Sequence, residues 1–153
     1  MSSMFPKSVL ITQGELINYA GSEIVTLELA EYFSSKGSLV HVLSNYIGAP
    51  IDKEFKKLKN VVLHTSSTSI DFTSLELLWI HHQLIPQEVL DLAEKGQLKA
   101  KVVFHHMSSF HPLEFPFAIR IEAYLADLVL FSSCLVKDTI EGRTTLAMKG
   151  KHD

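Results

Sequence analysis

Short apolar runs that alternate with helical patterns are the feature that most constrains the fold of this chain. The run SVLIT at 8–12 is compact and rich in β-branched residues, which predicts a first strand. The stretch 22–37 has apolar residues at helical spacing, and the run LVHVLS at 39–44 predicts a second strand. A strand, a helix and a strand in succession form a βαβ unit, so these two strands are expected to be parallel.

The same alternation continues along the rest of the chain, and its strands are continuous apolar runs. Parallel sheets that are covered on both faces produce such runs, because neither side of the strand faces water. The sequence therefore predicts an α/β protein with a Rossmann-like, doubly wound, mostly parallel sheet of about six strands and helices on both faces. The further strands are expected at 60–65, 75–82, 100–106 and 128–133, and the further helical segments at 52–58, 86–96, 113–126 and 134–141.

The ends and the inner face of the first helix are also predicted. Gly37 and Gly96 stand just past two helical segments, where a glycine commonly ends a helix. Glu23 lies in the first turn, where a carboxylate suits the helix dipole. The spacing predicts an apolar inner face made of Ile24, Leu27, Ala30 and Phe33.

Length and charge bound the organisation of the protein and its partners. The 153 residues favour one domain, expected at 1–141, with a polar tail or truncated linker at 142–153. A net charge of −3 gives no general attraction to nucleic acid. The four lysines of KEFKKLK at 53–59 leave contact with lipid head groups at the inner face of a membrane open, although a solvated helix face is favoured.

Cysteine usage and hydropathy favour a cytoplasmic protein. The single cysteine, Cys134, excludes an internal disulfide and fits a reducing compartment. Neither a signal-peptide layout at the N-terminus nor an apolar run of about 20 residues is found.

Two predicted strands end in a pair of histidines, which is the strongest sign of chemistry in the sequence. The strand within LLWIHHQ ends in His81 and His82, and the strand within VVFHHMS ends in His105 and His106. Side chains alternate between the two faces of a strand, so only one histidine of each pair is expected to face a cleft. If the strand order is the usual doubly wound one, the two strand ends are neighbours at the edge where ligands bind.

Several interpretations of these histidines stay open. They are structural and hydrogen-bonded, they bind substrate or transfer protons, they bind a metal, or they occur in pairs by chance. A metal is favoured less than the first two roles, because His106 and His111 lack helical one-face geometry and no second cysteine or placed carboxylate completes a tetrahedral set. His41 and His64 lie inside predicted strands and are expected to be packed.

The connection QGELINYAG at 13–21 is a second candidate site. It is longer than most strand–helix loops and places Gly21 at a helix N-terminus, where an anion is favoured. Alternatively, Gly21 simply allows close helix packing. Neither a dinucleotide-binding glycine fingerprint nor a P-loop is present, and no G-x-S-x-G elbow appears.

An ordered series of short motifs resembles the N-terminal half of GT-B glycosyltransferases of the retaining family 4 type. Ala20, Gly21, Ser22 and Glu23 resemble the G-G-A-E loop, with an alanine in place of the first glycine. The two strands that end in histidines resemble the corresponding family strands. The segment IEAYLADLVLFSS resembles a family segment that contains a glutamate, an A-D pair and a serine, here Glu122, Ala126, Asp127 and Ser132 or Ser133.

The resemblance implies the acceptor-side domain of an enzyme that transfers a sugar from a nucleotide-sugar to a glycan, lipid or protein acceptor. It implies a catalytic role for His106, or for His105 if the alignment slips by one residue. It implies substrate contacts for the loop 20–22, for His82 and His81, and for Ser132. Neither a metal nor another cofactor is implied.

The resemblance also implies a C-terminal donor domain, which these 153 residues do not contain. The isolated chain is therefore expected to be inactive, and the donor would bind through the missing domain or a partner subunit. Two alternatives remain. The chain is a non-enzymatic module that forms an oligomer with a separate donor-domain subunit, or it is an unrelated α/β domain that binds another small molecule.

Overall fold

The structure, a computed structural model, describes residues 4–81, 84–107 and 115–132, and of 115–119 the backbone alone. The helix predicted at 134–141 and the tail at 142–153 lie outside the described residues. So do His82, His111, Ser133 and Cys134.

The described residues form a six-stranded, all-parallel sheet with helices on both faces, which confirms the predicted class. The order of strands across the sheet is β3-β2-β1-β4-β5-β6. The strands are β1 (Ser8–Leu16), β2 (Leu39–Ile47), β3 (Val61–His64), β4 (Leu77–His81), β5 (Lys101–His106) and β6 (Leu128–Phe131), and the helices are α1 (Gly21–Ser35), α2 (Asp52–Lys56), α3 (Gln87–Glu94) and α4 (Phe115–Leu125).

This order has a topological switch point between β1 and β4. The chain leaves β1 toward β2 and β3 on one side, then returns to β4, β5 and β6 on the other side. In open parallel sheets, the connections diverge at such a point and leave a crevice at the carboxyl ends of the strands. A ligand site is therefore expected at the carboxyl ends of β1 and β4.

Two apolar layers enclose the sheet, because alternate residues of each strand face opposite sides. Val9 and Ile11 belong to the layer that contains α1 and α2, through Phe33 and Phe55. Leu10 belongs to the opposite layer, which contains Val89 of α3, Phe104 of β5 and Leu125 of α4.

The connection after β1 is shorter than the sequence predicts. The expected loop 13–21 is wrong in its first part, because β1 continues to Leu16 and leaves only residues 17–20 before α1. Parallel pairing with an equally long β2 sustains the extension, since Glu15 lies opposite Tyr46 and Leu16 opposite Ile47. These two strands project beyond β4, which ends near the level of Thr12.

Both predicted glycine helix ends are confirmed. Gly37 has φ of 88° and Gly96 has φ of 67°, in the left-handed region that disfavours other residues. Gly37 donates to the carbonyl of Ser34 at 3.0 Å, which satisfies one of the last carbonyls of α1.

The lysine-rich segment forms a short solvated helix, as favoured by the sequence. Lys56 pairs with Asp52 at 3.3 Å, and Lys57 pairs with Glu54 at 3.1 Å. Among the described helices, none is long and apolar enough to span a bilayer.

Candidate functional site

Five polar side chains form a hydrogen-bonded row along the carboxyl edge of the sheet. The row crosses the switch point, because its members come from β1, α1, β4, β5 and the residue after β6. They are Gln13, Thr26, His81, His105 and Ser132.

The centre of the row is a contact between the last residue of β4 and its neighbour in β5. His81 lies directly opposite His105 in the parallel register, as the adjacency of strands four and five predicts. Nε2 of His81 is 3.2 Å from Nδ1 of His105, and the ring centroids are 5.1 Å apart. His81 is 0% exposed, whereas His105 is half-buried and lies nearer the surface.

The histidines of β5 point to opposite sides of the sheet, as strand pleating predicts. His105 contacts His81, and its Nε2 is 3.3 Å from Oγ of the exposed Ser132. His106 is 3% exposed and faces Glu122 of α4.

His106 has the surroundings of a structural histidine. Its Nε2 is hydrogen-bonded to the Glu122 carboxylate, which is itself buried. Its ring stacks on Phe131, with centroids 5.4 Å apart. This environment holds α4 against β5 and β6. The catalytic role that the resemblance implies for His106 stays a prediction, and His105 is the histidine of this strand that reaches the edge.

The loop that resembles the G-G-A-E motif is held in place by its glutamate. Oε2 of Glu23 accepts hydrogen bonds from the backbone N–H groups of Ile17 at 2.6 Å and Asn18 at 2.7 Å. Glu23 is 4% exposed and lies at the start of α1, so the carboxylate ties the connection 17–20 to the helix. The sequence indicated a dipole role for Glu23 and a place in the motif at 20–23, and neither predicts these two hydrogen bonds.

The three loop residues implied as substrate contacts lie at the start of α1. Ala20 is the N-cap without a side-chain hydrogen bond, and Gly21 is the first helical residue. A Cβ added at Gly21 would meet nothing within 4 Å, so close helix packing is not the reason for this glycine. Oγ of Ser22 accepts from the Gln13 amide at 3.0 Å, which connects the loop to the polar row.

The inner face of α1 differs from the predicted one. Ile24 is 36% exposed, and the buried positions are Glu23, Thr26, Ala30 and Phe33. The first two are polar because this end of the helix covers the carboxyl edge of the sheet, where Thr26 Oγ1 lies 3.1 Å from Nδ1 of His81.

Sequence reasoning missed Thr26 as a site residue, and it included Gln13 and Glu23 only as members of the connection 13–21 and of the motif at 20–23. The signal that could have found Glu23 and Thr26 is their spacing, since they continue the helical stripe of Ala30 and Phe33 in the N-terminal direction. Polar residues on such a stripe, at the end nearest the ligand edge, indicate a site. For Gln13 the sequence carries no comparable signal.

The A-D pair of the resemblance lies at the opposite edge of the sheet. Asp127 Oδ2 accepts from the backbone N–H of Val102 at 2.8 Å, near the amino end of β5. Asp127 therefore fixes the start of β6 against β5 and lies away from the polar row.

A second histidine pair joins β2 to the edge strand β3. Nδ1 of His41 is 2.9 Å from Nε2 of His64, and Nδ1 of His64 is 3.1 Å from Oγ of Ser69 in a 3₁₀ turn at Ser67–Ser69. Burial lowers the pKa of both imidazoles, and the neighbouring His41 lowers the pKa of His64 further. Both side chains are packed within the fold, as the sequence predicts.

A crevice of about 280 Å³ opens at the carboxyl ends of β2 and β3, on the face of the sheet that α3 covers, whereas the row lies on the face that α1 covers. Its apolar wall includes Leu43, Ile85 and Pro86, and its polar wall includes Asn45 and the hydroxyls of residues 65–67. None of its described lining residues carries a formal charge. Hydroxyl and amide groups beside an apolar wall suit an uncharged polyhydroxylated ligand.

Within the described ranges, no group of three or more histidine, cysteine, aspartate or glutamate side chains could hold a metal ion. Comparison of the chain with protein-family models, with curated protein sequences and with solved structures finds no match.

Proposed function

We propose that this chain is the acceptor-side domain of a GT-B-like glycosyltransferase, which binds a sugar acceptor next to a nucleotide-sugar donor held by another domain or subunit. The observation that carries the proposal is the polar row at the switch point, because it brings the loop 20–22, His81, His105 and Ser132 to one edge of a Rossmann-like sheet. The sequence resemblance implies substrate contacts for the loop 20–22, His81 and Ser132, and a catalytic role for His106, or for His105 if the alignment slips by one residue.

The chemistry of this edge supports group transfer to a hydroxyl. An acceptor hydroxyl must lose a proton when it attacks the sugar, and an imidazole at the edge can accept that proton or orient the hydroxyl. His105 is better placed than His106, which is engaged with Glu122 on the other side of the sheet. The crevice at the carboxyl ends of β2 and β3, whose described lining is uncharged, supports an acceptor with a neutral polyhydroxylated part.

Ligand binding to the isolated chain tests the acceptor role. Nuclear magnetic resonance titration with simple methyl glycosides should shift amides of the carboxyl edge, whereas amides near Asp127 at the opposite edge should stay unchanged. Shifts spread over the whole surface, or none at millimolar glycoside, would contradict an acceptor site here.

Sugar transfer tests the need for a donor domain. The chain alone should transfer no sugar from nucleotide-sugars. A longer polypeptide that also contains the donor domain, or the chain mixed with a separate donor subunit, should transfer it. A light-scattering mass above the monomer after mixing would favour the two-subunit form. Transfer by the 153 residues alone would contradict the proposal.

A further inference from the structure

We propose that His81 is a positioning residue that holds the proton of neutral His105 on Nδ1, so that Nε2 of His105 is the accepting nitrogen at the carboxyl edge. The proton arrangement follows from hydrogen bonding alone. Its use in sugar transfer rests on the proposed function.

The first step is the indole of Trp79. Its Nε1–H can only donate, and it donates to Nε2 of His81 at 3.1 Å. Nε2 of His81 must therefore carry a lone pair, which places the proton of the neutral ring on Nδ1.

The second step is the hydroxyl of Thr26, which receives that proton. Oγ1 of Thr26 is 3.1 Å from Nδ1 of His81 and 2.9 Å from the backbone carbonyl of Ser22. The hydroxyl accepts from His81 and shares its own proton between that carbonyl and, at the longer distance of 3.3 Å, Oε1 of Gln13. Thr26 is 0% exposed, and no bulk water competes for these contacts.

The third step transmits the arrangement to His105. Nε2 of His81 lies 3.2 Å from Nδ1 of His105, and its one lone pair can be shared between the indole N–H and an Nδ1–H of His105. A lone pair on Nδ1 of His105 would instead be repelled by it. Nδ1 of His105 therefore carries the proton, and Nε2 of His105 becomes the acceptor, 3.3 Å from the Ser132 hydroxyl.

The two histidines consequently differ in what they can do. A proton added to Nε2 of His105 preserves the contact with His81, because Nδ1 of His105 still donates to it. A proton added to Nε2 of His81 would confront the indole N–H of Trp79 and the Nδ1 proton of His105. His81 thus orients the site, and His105 is the histidine that can exchange protons with a ligand.

Long-range ¹H–¹⁵N spectra of the imidazole rings of the 153-residue chain at neutral pH test the proposal, with signals assigned through His81→Gln and His105→Gln. We expect protonated Nδ1 and unprotonated Nε2 in both rings. The opposite tautomer of His105, or a rapid average of the two tautomers, would overturn the proposal.

Two substitutions of Thr26 test the transmission. Thr26→Val removes the hydroxyl at nearly constant shape, and the ¹⁵N resonances of both rings should move toward tautomer averages. Thr26→Ser keeps the hydroxyl and should retain the native pattern. An unchanged His105 spectrum in folded Thr26→Val would overturn the role of Thr26 and would mean that the indole N–H of Trp79 alone sets both tautomers.

Trp79→Phe tests the first step, whether or not Thr26→Val folds. It removes the indole N–H that keeps a lone pair on Nε2 of His81. The His81 pattern should then change, and an unchanged one would count against the proposal. Because these spectra need neither the nucleotide-sugar donor nor the sugar acceptor, their outcome is independent of sugar transfer.

Discussion

At the scale of single residues, buried polar contacts organise the carboxyl edge. The carboxylate of Glu23 accepts hydrogen bonds from two backbone N–H groups of the connection 17–20, which lies beyond the end of β1. A carboxylate that accepts two N–H groups forms charge-assisted hydrogen bonds, which are stronger than neutral ones. The loop conformation therefore depends on this side chain.

Replacement of Glu23 should show that dependence. Glu23→Ala leaves the N–H groups of Ile17 and Asn18 without their partner and should lower the free energy of unfolding by about 2 kcal/mol. Glu23→Gln keeps a carbonyl acceptor and should cost less. Urea denaturation of the two variants makes the comparison, and equal stability of Glu23→Ala and the native chain would show that the loop does not need the carboxylate.

His105 and His106 offer a matched pair of neighbours with different roles. His106→Ala leaves a buried Glu122 without its partner and should cost about 3 kcal/mol or more. His105→Ala removes a half-buried ring and should cost about 1 kcal/mol. Chemical denaturation measures both values. Equal losses, or a larger loss for His105→Ala, would contradict the structural assignment of His106.

At the scale of elements, β3 is one of the two short edge strands of the described sheet. It has four residues, lies at the edge and pairs only with β2 among the described strands. The imidazoles of His41 and His64 join the two strands beyond the backbone ladder and connect them to the turn at Ser69. The attachment of this edge is therefore sensitive to protonation.

The pH dependence of stability follows from the lowered pKa of His41 and His64 in the folded protein. The unfolded imidazoles have a pKa of about 6.5 and bind protons more readily than the folded ones. This contribution is complete above about pH 6.5 and is lost as the pH falls below that value.

Thermal melting at pH 7.5 and pH 5.5 measures the effect. His64→Asn should melt at a lower temperature at pH 7.5 but should lose less on acidification than the native chain. A variant as acid-sensitive as the native chain would assign the pH dependence to other groups.

At the scale of the whole molecule, the sheet is anchored at its centre. β1 pairs with β2 and β4, and its alternate residues enter both apolar layers. The described members of the two layers lie on opposite faces of the sheet, and β1 contributes buried side chains to both. Local opening should therefore begin at the edges.

Native-state hydrogen exchange tests this gradient. Amides of Val9–Ile11 should exchange only through global unfolding, whereas amides of β3 should exchange through local openings of lower free energy. Mass spectrometry of exchanged peptides distinguishes the two. Equal protection of β1 and β3 would mean that the sheet opens as a single cooperative unit.

The sequence by itself determined the class of fold, most strand positions and the glycine helix ends at Gly37 and Gly96. These features depend on periodicity and backbone conformation over a few neighbouring residues, which the sequence displays directly. Parallel strand pairing also brings His81 beside His105 once the strand order is the usual one.

Only the tertiary structure decided which polar groups meet. Thr26 and His81 are 55 positions apart, and His81 and His105 are 24 apart, so their hydrogen bonds depend on how α1, β4 and β5 pack together. The same packing places His106 against Glu122 and extends β1 to Leu16 beside β2. A local pattern cannot specify such contacts, because each one depends on elements that the chain brings together only after folding.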